Sequence, residues 1–249
     1  MEYFIGIYVF VFGLILGSFY NVCIYRIPAG ESIANPPSHC PSCGNRLKPI
    51  DLVPVFSYIF LGGKCRYCRE KISPRYAFVE LLTGMVFISL YMRYGLSFDF
   101  IKYIILASFL IIIGLIDYDT TDVYSVISYS GIICGILFVI IAYFLGNDVK
   151  PLVLGFLIPS IIIGIIVLTT GAMGTGDIEI CALAGLFLGI TNSLVMLFFS
   201  FILGAVCGVV LIATKKKSRK DYIAFGPYIA MGAFIAMIWG SKIVSFYLQ

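Results

Sequence analysis

The sequence predicts an all-α polytopic membrane protein with about eight transmembrane helices and a small cytoplasmic zinc-binding insert between the first and second spans. Three observations carry this reading. Of 249 residues, 61% are apolar or aromatic and only 12% are charged, against roughly 45–50% and about 25% in soluble domains. The mean hydropathy of +1.04 is the opposite of the low-hydrophobicity, high-charge signature of disordered chains. Four of the eight cysteines form two tight pairs inside the single long polar stretch, 25–75, while Cys23, Cys134, Cys181 and Cys207 lie singly in apolar runs.

The first run, MEYFIGIYVFVFGLILGSFY, has no basic n-region and no small-residue cleavage site, and it approaches the roughly 20 residues that cross a bilayer. It reads as a retained span over 3–24. Apolar runs broken by Gly, Pro or charge place further spans near 76–94, 100–117, 123–145, 151–170, 178–190, 193–213 and 223–246. The chain therefore divides into a first transmembrane helix (1–24), a cysteine-bearing insert (25–75) and a transmembrane core (76–249). The insert holds seven prolines and eight Lys/Arg. With the insert inside and the spans alternating, thirteen basic residues fall on the cytoplasmic side and four outside (Arg93, Lys102, Lys150, Lys242), the asymmetry that sets orientation. Both termini are then outside. The cluster Lys215, Lys216, Lys217, Arg219 and Lys220 reads as a topology anchor. A net charge of +4 gives no reason to expect nucleic acid as a partner.

Cys40-Pro-Ser-Cys43 and Cys65-Arg-Tyr-Cys68 are two C-x-x-C knuckles 21 residues apart. Each places two thiolates on one ion, and four thiolates close a tetrahedral structural site with no open position for substrate. Gly44 suits the tight turn after the first pair. An insert of about 50 residues has little core, so a structural zinc would supply its folding energy. His39, the one histidine, reads as a loop residue, and its isolation argues against a Ser-His-Asp or Cys-His engine.

Clusters of carboxylates meet the ends of the spans in two places: Asp117, Asp119 and Asp122 at the end of the third, and Asp177 and Glu179 at the start of the sixth. Ionisable residues in spans cost about 2.5–3.5 kcal/mol on insertion scales and are functional candidates by default. From Asp117 the chain crosses twice and returns to Asp177 on the same side, so the two can meet. Two aspartates sharing one proton are the machinery of aspartic proteolysis, one activating water while the other polarises the scissile carbonyl. Gly174 and Gly176, flanking Thr175, would let backbone approach an extended substrate. The competing readings are a flexible turn capped by Asp177, or a carboxylate-lined cation path.

GSFYNVCIYRIP (Gly17 to Pro28), the two cysteine pairs, RYAFVELLTG (Arg75 to Gly84), the Asp117 segment, MGTGD (Met173 to Asp177) and FGPYIAMG (Phe225 to Gly232) occur in an order that resembles the type IV prepilin peptidases, a family of GxGD aspartyl proteases. The resemblance covers nearly the whole chain. It implies a bifunctional enzyme of the bacterial cytoplasmic membrane that cleaves the basic leader of prepilins and type II secretion pseudopilins after a glycine, on the cytoplasmic side. It further implies methylation of the new amino terminus from S-adenosylmethionine, with Asp117 and Asp177 as the catalytic pair, the insert associated with methyl transfer, and the lipid bilayer as surroundings. Three positions depart from the family pattern. Asp122-Val123-Tyr124 stands where Ile-Pro-Asp or Ile-Pro-Asn is usual, which leaves Asp119 as an alternative first aspartate. Glu179 replaces a common lysine, so the pH optimum is expected to differ. Ala77 replaces proline. The residues that hold the methyl donor are not legible. A cation transporter using the same aspartates, and a non-enzymatic pilus assembly factor, are the alternatives from other classes.

Overall fold

The computed structural model describes residues 2–171, 173–217 and 222–247. Arg219 and Lys220 of the basic cluster lie outside the described residues. The chain forms two compact units, Met1–Ser97 and Phe98–Gln249.

In the first unit α1 (Glu2–Arg26) leads into the insert, whose regular elements among the described residues are a 3₁₀ turn, Pro49–Leu52, and the short α2 (Phe56–Phe60); α3 (Arg75–Tyr94) follows. α1 and α3 pack along their length through glycine. A Cβ at Gly13 would lie 2.8 Å from the Gly84 Cα, and one at Gly17 would lie 2.7 Å from the Glu80 Cα. Small residues allow such close approach in lipid, where no hydrophobic effect drives helices together. Buried polar groups are satisfied: Asn21 Nδ2 donates to the Tyr76 carbonyl (3.0 Å), Arg26 Nη1 to the Ser32 carbonyl (2.9 Å), and the Val55 N–H to Glu80 Oε2 (2.7 Å). Gly17, Asn21 and Arg26 thus join the two helices and anchor the insert.

The second unit contains α4 (Phe98–Thr120), α5 (Ser125–Phe144), α6 (Lys150–Thr170), α7 (Thr175–Ala213) and α8 (Gly226–Tyr247). Counting both units, seven helices among the described residues are long and apolar enough to cross a bilayer. α7 is unusual. Its 39 residues would extend about 58 Å if straight, nearly twice the hydrocarbon core of about 30 Å. Gly189 interrupts it with φ 71° and ψ 168°, and contacts with α8 show how far the direction changes. A Cβ at Gly226 would lie 3.0 Å from Ile180 Cδ1, a Cβ at Gly204 would lie 3.1 Å from the ring of Phe225, and Gly240 faces Asn192. Residues 180 and 204 would stand about 36 Å apart in a straight helix, yet both meet the start of α8, and residue 192 meets its far end. The chain therefore doubles back near Gly189, where a left-handed φ favours glycine. The spans expected near 178–190 and 193–213 are the two arms of this hairpin, the first short at about 21 Å for 175–188.

α6 packs on the first arm backbone to backbone. A Cβ at Gly185 would overlap the Gly155 carbonyl, and one at Gly155 would lie 2.5 Å from the Gly185 carbonyl oxygen. Backbone cannot yield as a flexible side chain does. Gly185→Ala is expected to destabilise the protein by about 1–3 kcal/mol or more, read as a lower midpoint of thermal unfolding in detergent, whereas Gly164→Ala, with only Ile178 Cδ1 at 3.8 Å, should be near neutral.

Candidate active site and cysteine cluster

The up-and-down course of the second unit brings the C-terminal end of α4 to the N-terminal ends of α7 and α8. Asp117, in the last turn of α4, is 4% exposed, and Asp177, in the first turn of α7, is 5% exposed. Each lies within electrostatic reach of the other. Asp119, by contrast, is exposed, so Asp117 is the aspartate that the fold brings to Asp177.

Each carboxylate is held by a backbone donor. The Gly226 N–H donates to Asp117 Oδ2 at 2.7 Å across 109 residues of sequence, and the Gly174 N–H donates to Asp177 Oδ2 at 3.1 Å. Gly174 is the residue that caps α7, and Asp177 is the third helical residue reaching back to it, half of a capping box. Asp177 is therefore not itself the cap. The donor at Gly226 belongs to the free first turn of α8, where unpaired N–H groups and the helix dipole favour an anion.

The loop after Asp117 is fastened to α7. Thr121, with φ 57°, ends α4 in the left-handed region and donates its N–H to the Asp117 carbonyl at 2.8 Å. Val123 then lies so close to Gly176 that a Cβ there would overlap its side chain. The close approach at Gly176 is thus made by the chain's own Val123, at a position where the sequence departs from the pattern it resembles. Ser125 Oγ donates to Glu179 Oε1 at 2.9 Å, a second tie from the start of α5. Gly174 faces Tyr222: a Cβ there would lie 3.0 Å from the Tyr222 hydroxyl and 3.9 Å from Asp177 Oδ2. Burial first, then the charges of Asp177 and Asp117, push the Tyr222 phenol above its ordinary value.

Sequence reasoning missed Gly226, Val123 and Tyr222. Gly226 was visible only as part of FGPYIAMG, without a role. Tyr222 is one of 17 tyrosines, in a loop with no periodicity to single it out.

In the first unit the two knuckles have matching backbones. Bridges His39↔Arg46 and Lys64↔Lys71 close them, the Cys40 and Cys65 N–H groups donate to the Asn45 and Glu70 carbonyls, and Gly44 and Arg69 donate back to Cys40 and Cys65. Gly44 (φ 69°) and Arg69 (φ 62°) hold the same left-handed position, so the second knuckle makes without glycine the turn that the first makes with it. The Cys40, Cys43, Cys65 and Cys68 sulfurs all lie within 4.8 Å of one another, and Cys40 and Cys68 are 3.8 Å apart. All four are free thiols. A tetrahedral ion with bonds of about 2.3 Å sets sulfurs about 3.8 Å apart, so the cluster can hold a metal ion. His39 lies outside this group, with Nδ1 3.1 Å from the Pro37 carbonyl.

Comparison with known proteins covers both units. Residues 11–94 match the Bacterial Peptidase A24 N-terminal domain, and residues 104–209 match the Type IV leader peptidase family. A prepilin leader peptidase/N-methyltransferase of Bacillus subtilis is 34% identical, covering 96% of each chain. Proteins of the same description from Pseudomonas putida (32% identical, 96% of this chain, 92% of the relative) and Neisseria gonorrhoeae (32%, 90% and 87%) are also similar. No solved structure matches. With a relative above 30% identity aligned over nearly its full length and both domain matches in order, the chain belongs to the type IV leader peptidase family.

Proposed function

We propose that this protein cleaves the leader peptide of type IV prepilins and type II secretion pseudopilins after a glycine, then N-methylates the new terminus with S-adenosylmethionine. The observation that carries the proteolytic step is the pairing of two nearly buried aspartates, each fixed by a backbone N–H from a different helix start. The basic asymmetry of the sequence puts this end of the bundle, and the cysteine insert, at the cytoplasmic face.

In this reading one carboxylate of Asp117 and Asp177 is ionised and takes a proton from water, while its protonated partner donates to the carbonyl oxygen of the scissile bond. The tetrahedral adduct collapses as the proton passes to the leaving amine, and the exposed α-amine becomes the methyl acceptor. With an ordinary pKa of about 7.7–8.0, that amine is partly neutral near pH 7, so methyl transfer depends more on positioning than on a strong base. Gly226 and Gly174 hold the dyad in place. Tyr222, beside Gly174, supplies a hydroxyl toward the substrate backbone. In the insert, Cys40, Cys43, Cys65 and Cys68 would hold a structural zinc, and a closed four-thiolate site would supply folding energy rather than chemistry.

Incubating detergent-purified protein with a prepilin-like substrate and S-adenosylmethionine, followed by mass spectrometry, tests the whole reading. Loss of the leader plus one methyl group on the product is the expected result. An intact, correctly inserted substrate would remove the proteolytic assignment, and cleavage without added mass would remove the methylation.

Two variants probe the supports of the dyad. A Cβ at Gly226 would lie 2.6 Å from Asp117 Oδ2 and 3.0 Å from Ile180 Cδ1, so Gly226→Ala must displace the carboxylate. Misplacement on the order of 1 Å costs about 10²-fold, and a drop of that size in kcat is expected. Tyr222→Phe keeps the ring and removes one donor; kcat should fall roughly tenfold, below the 10²–10³ of a fully buried donor, with KM little changed. A raised KM at unchanged kcat would show that Tyr222 only binds substrate.

A further inference from the structure

The most apolar part of the insert is uncovered. α2 turns Phe56, Ile59 and Phe60 to one side, the i, i+3, i+4 spacing of a helix face, and these residues are 55%, 64% and 84% exposed. Ile50, Leu52 and Val53, just before it, are exposed as well. The face a soluble loop would bury is the one left open here, while Tyr58 folds inward against Gly63.

Between Lys48 and Lys64 the one charged side chain is Asp51, and it is withdrawn from the surface. Its side chain is 3% exposed and pairs with Arg66 Nε at 2.5 Å, while Oδ2 accepts from the Tyr67 hydroxyl (3.0 Å) and the Lys48 N–H (3.1 Å). Burial opposes this charge, but the hydrogen bonds from Arg66, Lys48 and Tyr67 outweigh it and hold the carboxyl below its ordinary value. The stretch therefore shows an apolar surface bounded by lysines.

Its depth is fixed by α3. The Val55 N–H, at the start of α2, donates to Glu80 Oε2 at 2.7 Å, and this bond holds Val55 at φ 62°, a costly conformation for a β-branched residue. Asn21 bonds the Tyr76 carbonyl, which sets the start of α3 level with Asn21 of α1. From Tyr3 to Asn21 α1 extends about 27 Å, nearly all of the roughly 30 Å needed to cross the hydrocarbon. With a first span of Tyr3–Arg26 and a second of Arg75–Tyr94, the level of Asn21 and Tyr76 falls near one end of both spans. Glu80 lies a turn inside it, flanked on its own helix by the exposed Phe78 and Leu81.

We propose that residues 50–60 form an interfacial foot that places Phe56, Ile59 and Phe60 among the lipid acyl chains beside α3. Lys48 and Lys64 reach the headgroups, the arrangement by which short amphipathic segments bind the plane of a bilayer. The expected cytoplasmic insert is then soluble on one side and lipid-bound on the other. Because Arg66 and Tyr67 of the second knuckle hold Asp51, the cysteine cluster sets the angle of the foot.

Tryptophan fluorescence of the full chain in phosphatidylcholine/phosphatidylglycerol nanodiscs tests this. In a Trp239→Phe background, Phe60→Trp and, separately, Phe56→Trp should each emit with a blue shift, lose intensity when the lipids carry brominated chains, and resist aqueous iodide without substrate. Glu70→Trp, on the exposed side of the second knuckle, is the water reference. Water-like emission from both foot positions, quenched by iodide and indifferent to brominated lipid, would overturn the proposal. So would protection from iodide that arises only on adding a prepilin peptide, which would make the patch a substrate dock.

Discussion

Asp117→Asn and Asp177→Asn are each expected to lower the rate of leader cleavage by about 10²- to 10⁴-fold, the range that positioned acid-base groups contribute. Asparagine preserves shape and can still accept from the Gly226 or Gly174 N–H, so folding should survive and the loss should appear in kcat. In the proposed mechanism the two carboxylates act as one unit, so the double variant should lose little more than either single one. A peptide already ending in the exposed amine should still be methylated by both variants, because that step needs no dyad. Asp119→Asn, at an exposed position, should retain cleavage within a few-fold; loss there with retention in Asp117→Asn would move the site by half a turn. Equal retention in Asp117→Asn and Asp177→Asn would remove the aspartic mechanism.

The second-largest effect is expected from disabling the cysteine cluster as a metal site, and it should be confined to the first unit. Structural zinc in small domains contributes about 10–16 kcal/mol of apparent binding energy at pH 7, and the insert has no regular element longer than five residues. Cys40→Ser and Cys65→Ser remove the two buried ligands. Each is expected to purify with much less than one metal ion per chain, and to be cut by protease within 30–74 where the parent resists. Methylation should fail in these variants while cleavage by the second unit persists. Full protease resistance in a metal-free variant would show that the insert folds without an ion.

The membrane class, the apolar runs that become the helices and the cysteine pairs were legible in the sequence, as were Asp117 and Asp177, the two aspartates that the fold brings near each other. Each is written locally: twenty apolar residues record the solvent, C-x-x-C records a ligand spacing, and a carboxylate at the edge of an apolar run stands out by its cost. The short sixth span is the first arm of α7, legible because Gly189 marks where the chain doubles back. Tertiary structure decided what no local window contains. Gly226 donates to Asp117 across 109 residues, Val123 fills the space above Gly176, and Tyr222 comes to Gly174 from a featureless loop. It also decided that Phe56, Ile59 and Phe60 face outward, while Val55 beside them is tied to Glu80 of α3. The reason is physical: composition and periodicity specify which surface a segment must hide or show, but the partner that meets it follows only from how the helices pack.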